Sequence, residues 1–312
     1  MFYDIVSHIT TSLTLLKYPV HPPIVTQYAG QQIKDLYSAV GHGDMRLTIV
    51  GCGSIGTKLA MAADEMDEVK RIYLIDSDPK RAAELSAQLK KTIVVISVEE
   101  ELYHCDLVVE AASQAAAAEI IPKVVGRGVD IMVMSVGALV EDTFRASVFD
   151  KAKNSGAKIF VPSGAVAGTD CLRAASKDDL DTVELITTKG PDSLRKVKYL
   201  DEKGIDPKKV KTPTVIYTGT AREAVHLFPK NINVAATVSL LGVGFDKTTV
   251  KIVLDPKTKS NSHELILKGK FGEMVCETKN VPSTDNPSTS HLAALSAIAV
   301  LQRIVRNEWV GI

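Results

Sequence analysis

Met45-Arg-Leu-Thr-Ile-Val-Gly-Cys-Gly-Ser-Ile-Gly56 is the stretch that decides the fold. Residues 47–50 form a short apolar, β-branched run, which favours a strand. Gly51, Gly53 and Gly56 follow in the spacing G-x-G-x-x-G, and helix-forming residues resume at Thr57. Strand, tight turn and helix in this order make a dinucleotide site. The first glycine permits the turn, the second lets a pyrophosphate approach the backbone, and the third lets the helix pack closely on the strand. Free N–H groups at the helix start, where Ser54 and Ile55 lie, then face the phosphates, with the helix dipole adding to the attraction. The glycine spacing alone is a weak signal, but a second predicted strand, 71–75, ends in Asp76. That aspartate lies about 25 residues beyond Gly51, close to the usual offset of an acid that binds the adenosine ribose hydroxyls. The alternative is an ordinary βα turn followed by a surface aspartate.

Working outward, the alternation continues. Strands are predicted over 92–97, 106–111, 130–135 and 158–161, and helices over 55–67, 79–91, 114–127 and Asp142–Ser155, with Asp78 as N-cap of the second. Short, nearly continuous apolar strands between helices predict a doubly wound parallel sheet of the Rossmann type, covered on both faces. After Pro162 the texture changes. Strands over 181–188, 214–217, Thr248–Leu254, 264–267 and 273–279 and helices over Ala221–Leu227 and 235–241 predict a second α/β domain with a mixed or antiparallel sheet. The stretch 188–210, rich in Lys and Asp, reads as an exposed loop or flap. His291–Arg306 reads as a long helix that packs back towards the nucleotide domain. The expected division is an N-terminal appendage at 1–44, a dinucleotide-binding domain at 45–162, a catalytic and dimer-forming domain at 163–290, and the C-terminal helix at 291–312. The appendage either packs on the core or precedes a biological start at Met45.

The 312 residues carry 37 Lys and Arg against 37 Asp and Glu, so no basic excess points to nucleic acid. Cys52, Cys105, Cys171 and Cys276 are scattered without a C-x-x-C, which fits reduced thiols in a cytoplasmic protein better than a disulfide framework or a zinc site. No apolar run reaches the length of a membrane span, no basic segment leads into a signal-like apolar run, and no metal motif is visible. The G-x-S-x-G elbow of acyl transfer is absent too.

In open α/β sheets, ligands bind beyond the carboxyl ends of the strands. The small residues at 111–113, 135–138 and 162–168 lie there and leave room for the nicotinamide half of a cofactor. Several runs then become recognisable in order: M-S-V-G-A-L (134–139), V-P-S-G-A-V-A-G-T-D (161–170), L-F-P-K-N-I-N-V-A-A-T (227–237), D-P-x-x-x-x-N-x-H (255–263) and N-P-S-T-S (286–290). Together they resemble the L-aspartate dehydrogenase family over about residues 46–312. The resemblance implies a Rossmann domain joined to a catalytic, dimer-forming α/β domain. It implies that Ala165 and Asn233 contact NAD and that His263 is the active-site histidine. Position agrees in part and does not decide it: His263 sits between a polar loop and a strand, where a side chain can project into a cleft.

The reaction so implied takes a hydride from Cα of L-aspartate and a proton from its amine, giving iminoaspartate, which feeds NAD biosynthesis or hydrolyses to oxaloacetate and ammonia. A histidine with a pKa near neutrality suits the proton transfer. A dicarboxylate needs cationic or hydroxyl partners, for which Lys230, Ser288, Thr289 and Ser290 are candidates. Asp76 should favour NAD over NADP by accepting from the ribose hydroxyls and repelling a 2′-phosphate, while Lys80 and Arg81 lie close enough to let NADP be tolerated. A two-fold homodimer is expected from the second domain's strands, from the prevalence of such dimers and from the resemblance. Two other readings stay open: a related oxidoreductase of another small dicarboxylate or an imine, and a non-catalytic NAD(H)-binding sensor.

Overall fold

The computed structural model describes residues 45–310 apart from 103, 196, 230, 231, 284, 285, 287 and 288. The predicted appendage at 1–44 lies outside the described residues, as do Lys230 and Ser288.

The first part is a βα alternation: β1 Met45–Val50, α1 Ser54–Asp64, β2 Val69–Ile75, α2 Pro79–Ser86, β3 Thr92–Val94, α3 Val98–Glu101, β4 Leu107–Glu110, α4 Gln114–Gly126, β5 Asp130–Val133, α5 Asp142–Ser155 and β6 Ile159–Phe160. The six strands pair in the order β3-β2-β1-β4-β5-β6, and every pairing is parallel. Successive strand residues point to opposite faces, and here both faces are buried. Leu47 and Ile49 join Leu59, Leu74 and Leu301 in one cluster, whereas Val50 and Val108 join Ile121 and Val124 in another. The strand order reverses between β1 and β4, which opens the crevice where such sheets bind nucleotides.

Two elements differ from their sequence prediction for a visible reason. The helix expected over 79–91 stops at Ser86, because the buried Asp64 carboxylate accepts from the backbone N–H groups of Lys90 (3.0 Å) and Lys91 (2.8 Å). Those residues are thereby turned into the approach to β3. The strand expected to Ser97 ends at Val94, and Ser97 caps the short α3, accepting from Glu100 N–H.

After β6 come α6 Thr169–Ala175, β7 Leu180–Lys189, α7 Lys198–Glu202, β8 Thr214–Thr220, α8 Ala221–Leu227, α9 Asn233–Leu241, β9 Thr248–Leu254, β10 Asn261–Gly269, β11 Gly272–Asn280 and α10 His291–Arg306. The strands form a mixed sheet in the order β11-β10-β7-β9-β8, with only β7 and β9 parallel. Its inner face packs Leu185, Ile252 and Leu265 against Val225, Phe228 and Val238 of the helical layer. The outer face alternates polar and apolar residues and is half-buried to exposed. The C-terminal helix α10 lies against α1 and buries Ala297, Leu301 and Val305 in the nucleotide-domain core.

The stretch 188–210 is the exposed loop that its charge suggested only from about residue 201 onward. Lys189 ends β7, Pro191–Leu194 forms a 3-10 turn, and Leu194, Val197 and Leu200 enter the second core. Its apolar residues are sparse but fall where a short turn and a short helix aim them inward.

Candidate active site

The glycine turn is built as its spacing requires. Gly51 has φ +98°, a region that L side chains rarely adopt, and a Cβ there would meet the Ala111 carbonyl at 2.6 Å. A Cβ on Gly56 would stand 1.8 Å from the Gly51 carbonyl oxygen. Around Gly53, by contrast, nothing lies within 4 Å of the Cβ position, which leaves the backbone open to a ligand. Gly53 and Ser54 line an open concavity with Cys52, Thr57, Arg81 and Asn286. Asp76 stands beside it at the end of β2. Its carboxylate accepts from Cys52 N–H at 2.7 Å and from Asp78 N–H at 2.8 Å, and Arg81 lies 3.7 Å away. Cys52 is buried and its thiol is pushed up to about 11 by that burial and by Asp76, so it is no nucleophile.

Glu110, at the end of β4, went unnoticed in the sequence. It is fully buried and its carboxylate accepts from Ala112 N–H, Ser135 N–H and the Ser135 hydroxyl, each at 2.8 Å. Burial raises its pKa against these opposing hydrogen bonds. The effect is to tie the loop after β4 to the loop after β5, both of which border the nucleotide crevice.

Next to the turn lies a cavity of about 100 Å³. Ile55, Ala165, Asn233, His263, Thr289 and Ser290 line it, so six predicted site residues from five separate segments meet there. Each is held. The Ala165 carbonyl accepts from the Thr278 hydroxyl and from Asn280 Nδ2, both at 2.9 Å. Asn233 Oδ1 accepts from Gly137 N–H at 3.3 Å, joining the start of α9 to the turn after β5. Ser290 stands at the N-cap position of α10 and pairs with Pro282. The segment between β11 and α10 is fastened over α1, where Ser283 bonds Ser54 Oγ at 2.9 Å and accepts from Lys58 Nζ at 2.8 Å.

His263 does not sit between a loop and a strand, because β10 begins two residues earlier and places it on the inner face. It is 3% exposed and its Nδ1 shares a hydrogen bond of 2.9 Å with Thr187 Oγ1, its cross-strand partner on β7. Nε2 is the ring nitrogen left for chemistry, and for it to receive a proton Nδ1 must donate to Thr187. The near-neutral pKa expected of it is not found. Burial first, and the Lys189 charge second, hold it down at about 3. Lys189 lines the same cavity, is 3% exposed, and is lowered to about 8 by burial. The sequence held a signal for it: Val183, Leu185 and Thr187 share one strand face, and the period of two carries Lys189 onto that face. Ending the strand at Thr188 hid it.

With this geometry in view, comparison with known proteins is decisive. Residues 170–304 match the family model described as the C-terminal domain of aspartate dehydrogenase, and residues 51–162 match the NAD-binding domain described for homoserine dehydrogenase. The chain is 42% identical over 269 residues to the L-aspartate dehydrogenase of Methanosarcina acetivorans, covering 86% of this chain and 99% of that protein. It belongs to the L-aspartate dehydrogenase family. The L-aspartate dehydrogenase of Nitrosopumilus maritimus is 41% identical, with 84% of this chain and 97% of that one covered. The crystal structure of the aspartate dehydrogenase from Thermotoga maritima superposes with a TM-score of 0.65 at 28% identity, over 86% of this chain and 98% of that one. The fold is therefore the family's α/β fold, a parallel Rossmann-type sheet with a second mixed sheet, and the chain carries an NAD(P)-binding domain of an oxidoreductase. Among the described residues no helix is long and apolar enough to cross a membrane, and no cluster could hold a metal ion.

Proposed function

We propose that this protein oxidises L-aspartate to iminoaspartate with NAD, and accepts NADP less well. The observation that carries the reading is the convergence of Ala165, Asn233, His263, Thr289 and Ser290 on one cavity beside the glycine turn. The open backbone at Gly53 and the acid at the end of β2 suit a dinucleotide, with Gly51, Gly53, Ser54, Ile55 and Gly56 at the pyrophosphate and Asp76 at the adenosine ribose. Ala165 and Asn233 then border its nicotinamide half. Residues 45–162 thus hold the cofactor, 163–290 supply the reacting site, and α10 braces the former.

When bound, NAD accepts the hydride that leaves Cα of aspartate. The protein's own residues do the rest. Neutral His263, oriented by Thr187, takes the proton that the amine gives up as the C=N bond forms. One substrate thereby loses two electrons and two hydrogens, one as hydride and one as proton. Thr289 and Ser290 offer hydroxyls to a carboxylate, and Lys230 and Ser288 remain candidates from their sequence positions. The apolar part of the lining, Val133, Met134, Val136 and Pro162, keeps bulk water from the reacting atoms. The released iminoaspartate supplies NAD biosynthesis or hydrolyses to oxaloacetate and ammonia.

The outer face of the mixed sheet supports a homodimer. Val275 on β11 is 58% exposed and shares that side with half-buried Ile186, Val253 and Ile266, a surface that a second copy would cover. Four free cysteines fit a reducing cytoplasm.

The experiment is direct: purified protein, L-aspartate and NAD, followed at the absorbance of the reduced cofactor. Turnover with L-aspartate is expected. Turnover only with another dicarboxylate or imine would move the substrate assignment, and NAD binding with no turnover would leave a sensor.

A further inference from the structure

We propose that Lys189 is a substrate-binding residue: from the inner face of the mixed sheet it supplies the cation that receives a carboxylate of the dicarboxylate substrate. This rests on the aspartate reading above and deepens it.

L-Aspartate enters as a net monoanion with two carboxylates and one ammonium. Moving such charges into a closed cavity is costly unless each meets a partner. Among the described residues that line the cavity, Lys189 carries the only formal charge, since His263 is neutral and the rest are apolar, amide or hydroxyl. Its position is fixed by register. β7 is the central strand of five, Thr187 stands opposite His263, and Lys189 lies two residues further along the same face. A substrate whose amine is near His263 therefore has the lysine one strand step away, within reach of a carboxylate on the same molecule. A central strand also moves little, which suits a group that selects by charge.

Lysine is seldom found on the core face of a central strand, where most residues are apolar. Away from the polar end formed by Thr187, Asn261 and His263, that face carries Val183 and Leu185 on the same strand and Leu265 and Leu267 on the next. The lysine charge also acts on His263 and weakens its basicity in the free protein. A carboxylate bound beside Lys189 offsets that charge, so the histidine becomes a better base once substrate is present. Binding and proton transfer are thereby linked through one side chain.

The test compares the wild type with Lys189→Met and Lys189→Arg in steady-state kinetics with L-aspartate and NAD, alongside NAD binding and thermal melts. Lys189→Met should raise the aspartate KM so that kcat/KM falls about 10²-fold or more, the usual scale for stripping one partner from a buried ion pair. NAD affinity should be kept, kcat should fall much less, and Lys189→Arg should retain part of the lost affinity. An unchanged KM, or a loss confined to kcat, overturns the assignment. A wild-type measurement covers the case in which the variants do not fold. Succinate, a dicarboxylate without the reacting amine, is titrated into the NAD complex at pH 8.5 in two buffers of different ionisation heat. The expected result is saturable binding with uptake of most of a proton, as the carboxylate restores the lysine's charge while His263 stays neutral. No saturable binding by a protein active on aspartate overturns the proposal. Succinate binding with uptake in a protein inactive on aspartate keeps the lysine as a carboxylate site and removes the substrate reading instead.

Discussion

Acidification should unfold this protein partly through His263, and the size of the effect follows from its burial. The imidazole is held at about 3 in the fold against an ordinary 6.5. Below pH 6.5 the unfolded chain binds a proton that the folded chain refuses, so the stability contribution is full above 6.5 and is lost as pH falls towards 3. Each pH unit in that window costs about 1.4 kcal/mol, so the step from pH 6.5 to pH 4 costs roughly 3–4 kcal/mol. That is a large part of a typical 5–15 kcal/mol domain stability, by general scale. Urea unfolding of the wild type and His263→Asn, each at pH 7 and pH 4, isolates the histidine. Carboxylates titrate in both proteins, and loss of the Thr187 hydrogen bond shifts the variant equally at both pH values. The difference between the two proteins should shrink or reverse by roughly 3 kcal/mol at pH 4. Parallel pH dependences would show that His263 ionises freely in the fold, and the buried-site account would be wrong.

The glycines separate fold from binding. Gly56→Ala, whose Cβ would lie 1.8 Å from the Gly51 carbonyl, should lower the melting temperature sharply; Gly53→Ala, with nothing within 4 Å, should melt like wild type but lose NAD affinity, and equal melting losses in both would contradict the reading. Asp76→Ala should raise the KM for NAD about 10-fold and narrow the preference over NADP, the scale of about one lost charge-assisted hydrogen bond; a wild type that prefers NADP, unchanged by the substitution, would move the ribose site elsewhere. Val275→Lys should shift light scattering from dimer to monomer, and a monomeric wild type would dismiss the dimer.

What the sequence revealed follows physical scale. Local signals were strong where one residue type has one use: the glycine spacing, Asp76 after an apolar strand, and the capping Asp78 all stand where pattern placed them. Element ends were set by distant partners instead. Nothing near Lys90 foretells that Asp64 will catch its N–H, and so the end of α2 was misread. Charge misled over 188–200, where Leu194, Val197 and Leu200 outweigh the polar majority, and held from 201 to 210. The cavity itself combines residues more than two hundred positions apart, from Ile55 to Ser290, and only ordered family motifs connected them. Lys189 escaped because a charged residue ending a strand looks like the start of a loop; counting inward-facing positions one step further recovers it. Glu110 lay inside its predicted strand, but the Ser135 groups that hold its carboxylate are 25 positions away.

The account's central claim is that the hydride passes from Cα of L-aspartate to a nicotinamide held beside His263. Aspartate deuterated at Cα tests it most directly, with the reduced cofactor analysed by mass after a single turnover. One deuterium per reduced cofactor, formed by the wild type and at least about 10²-fold more slowly by His263→Asn with NAD affinity intact, is the predicted result. Reduced cofactor without deuterium, or no reduction by a protein that binds both ligands, would contradict it.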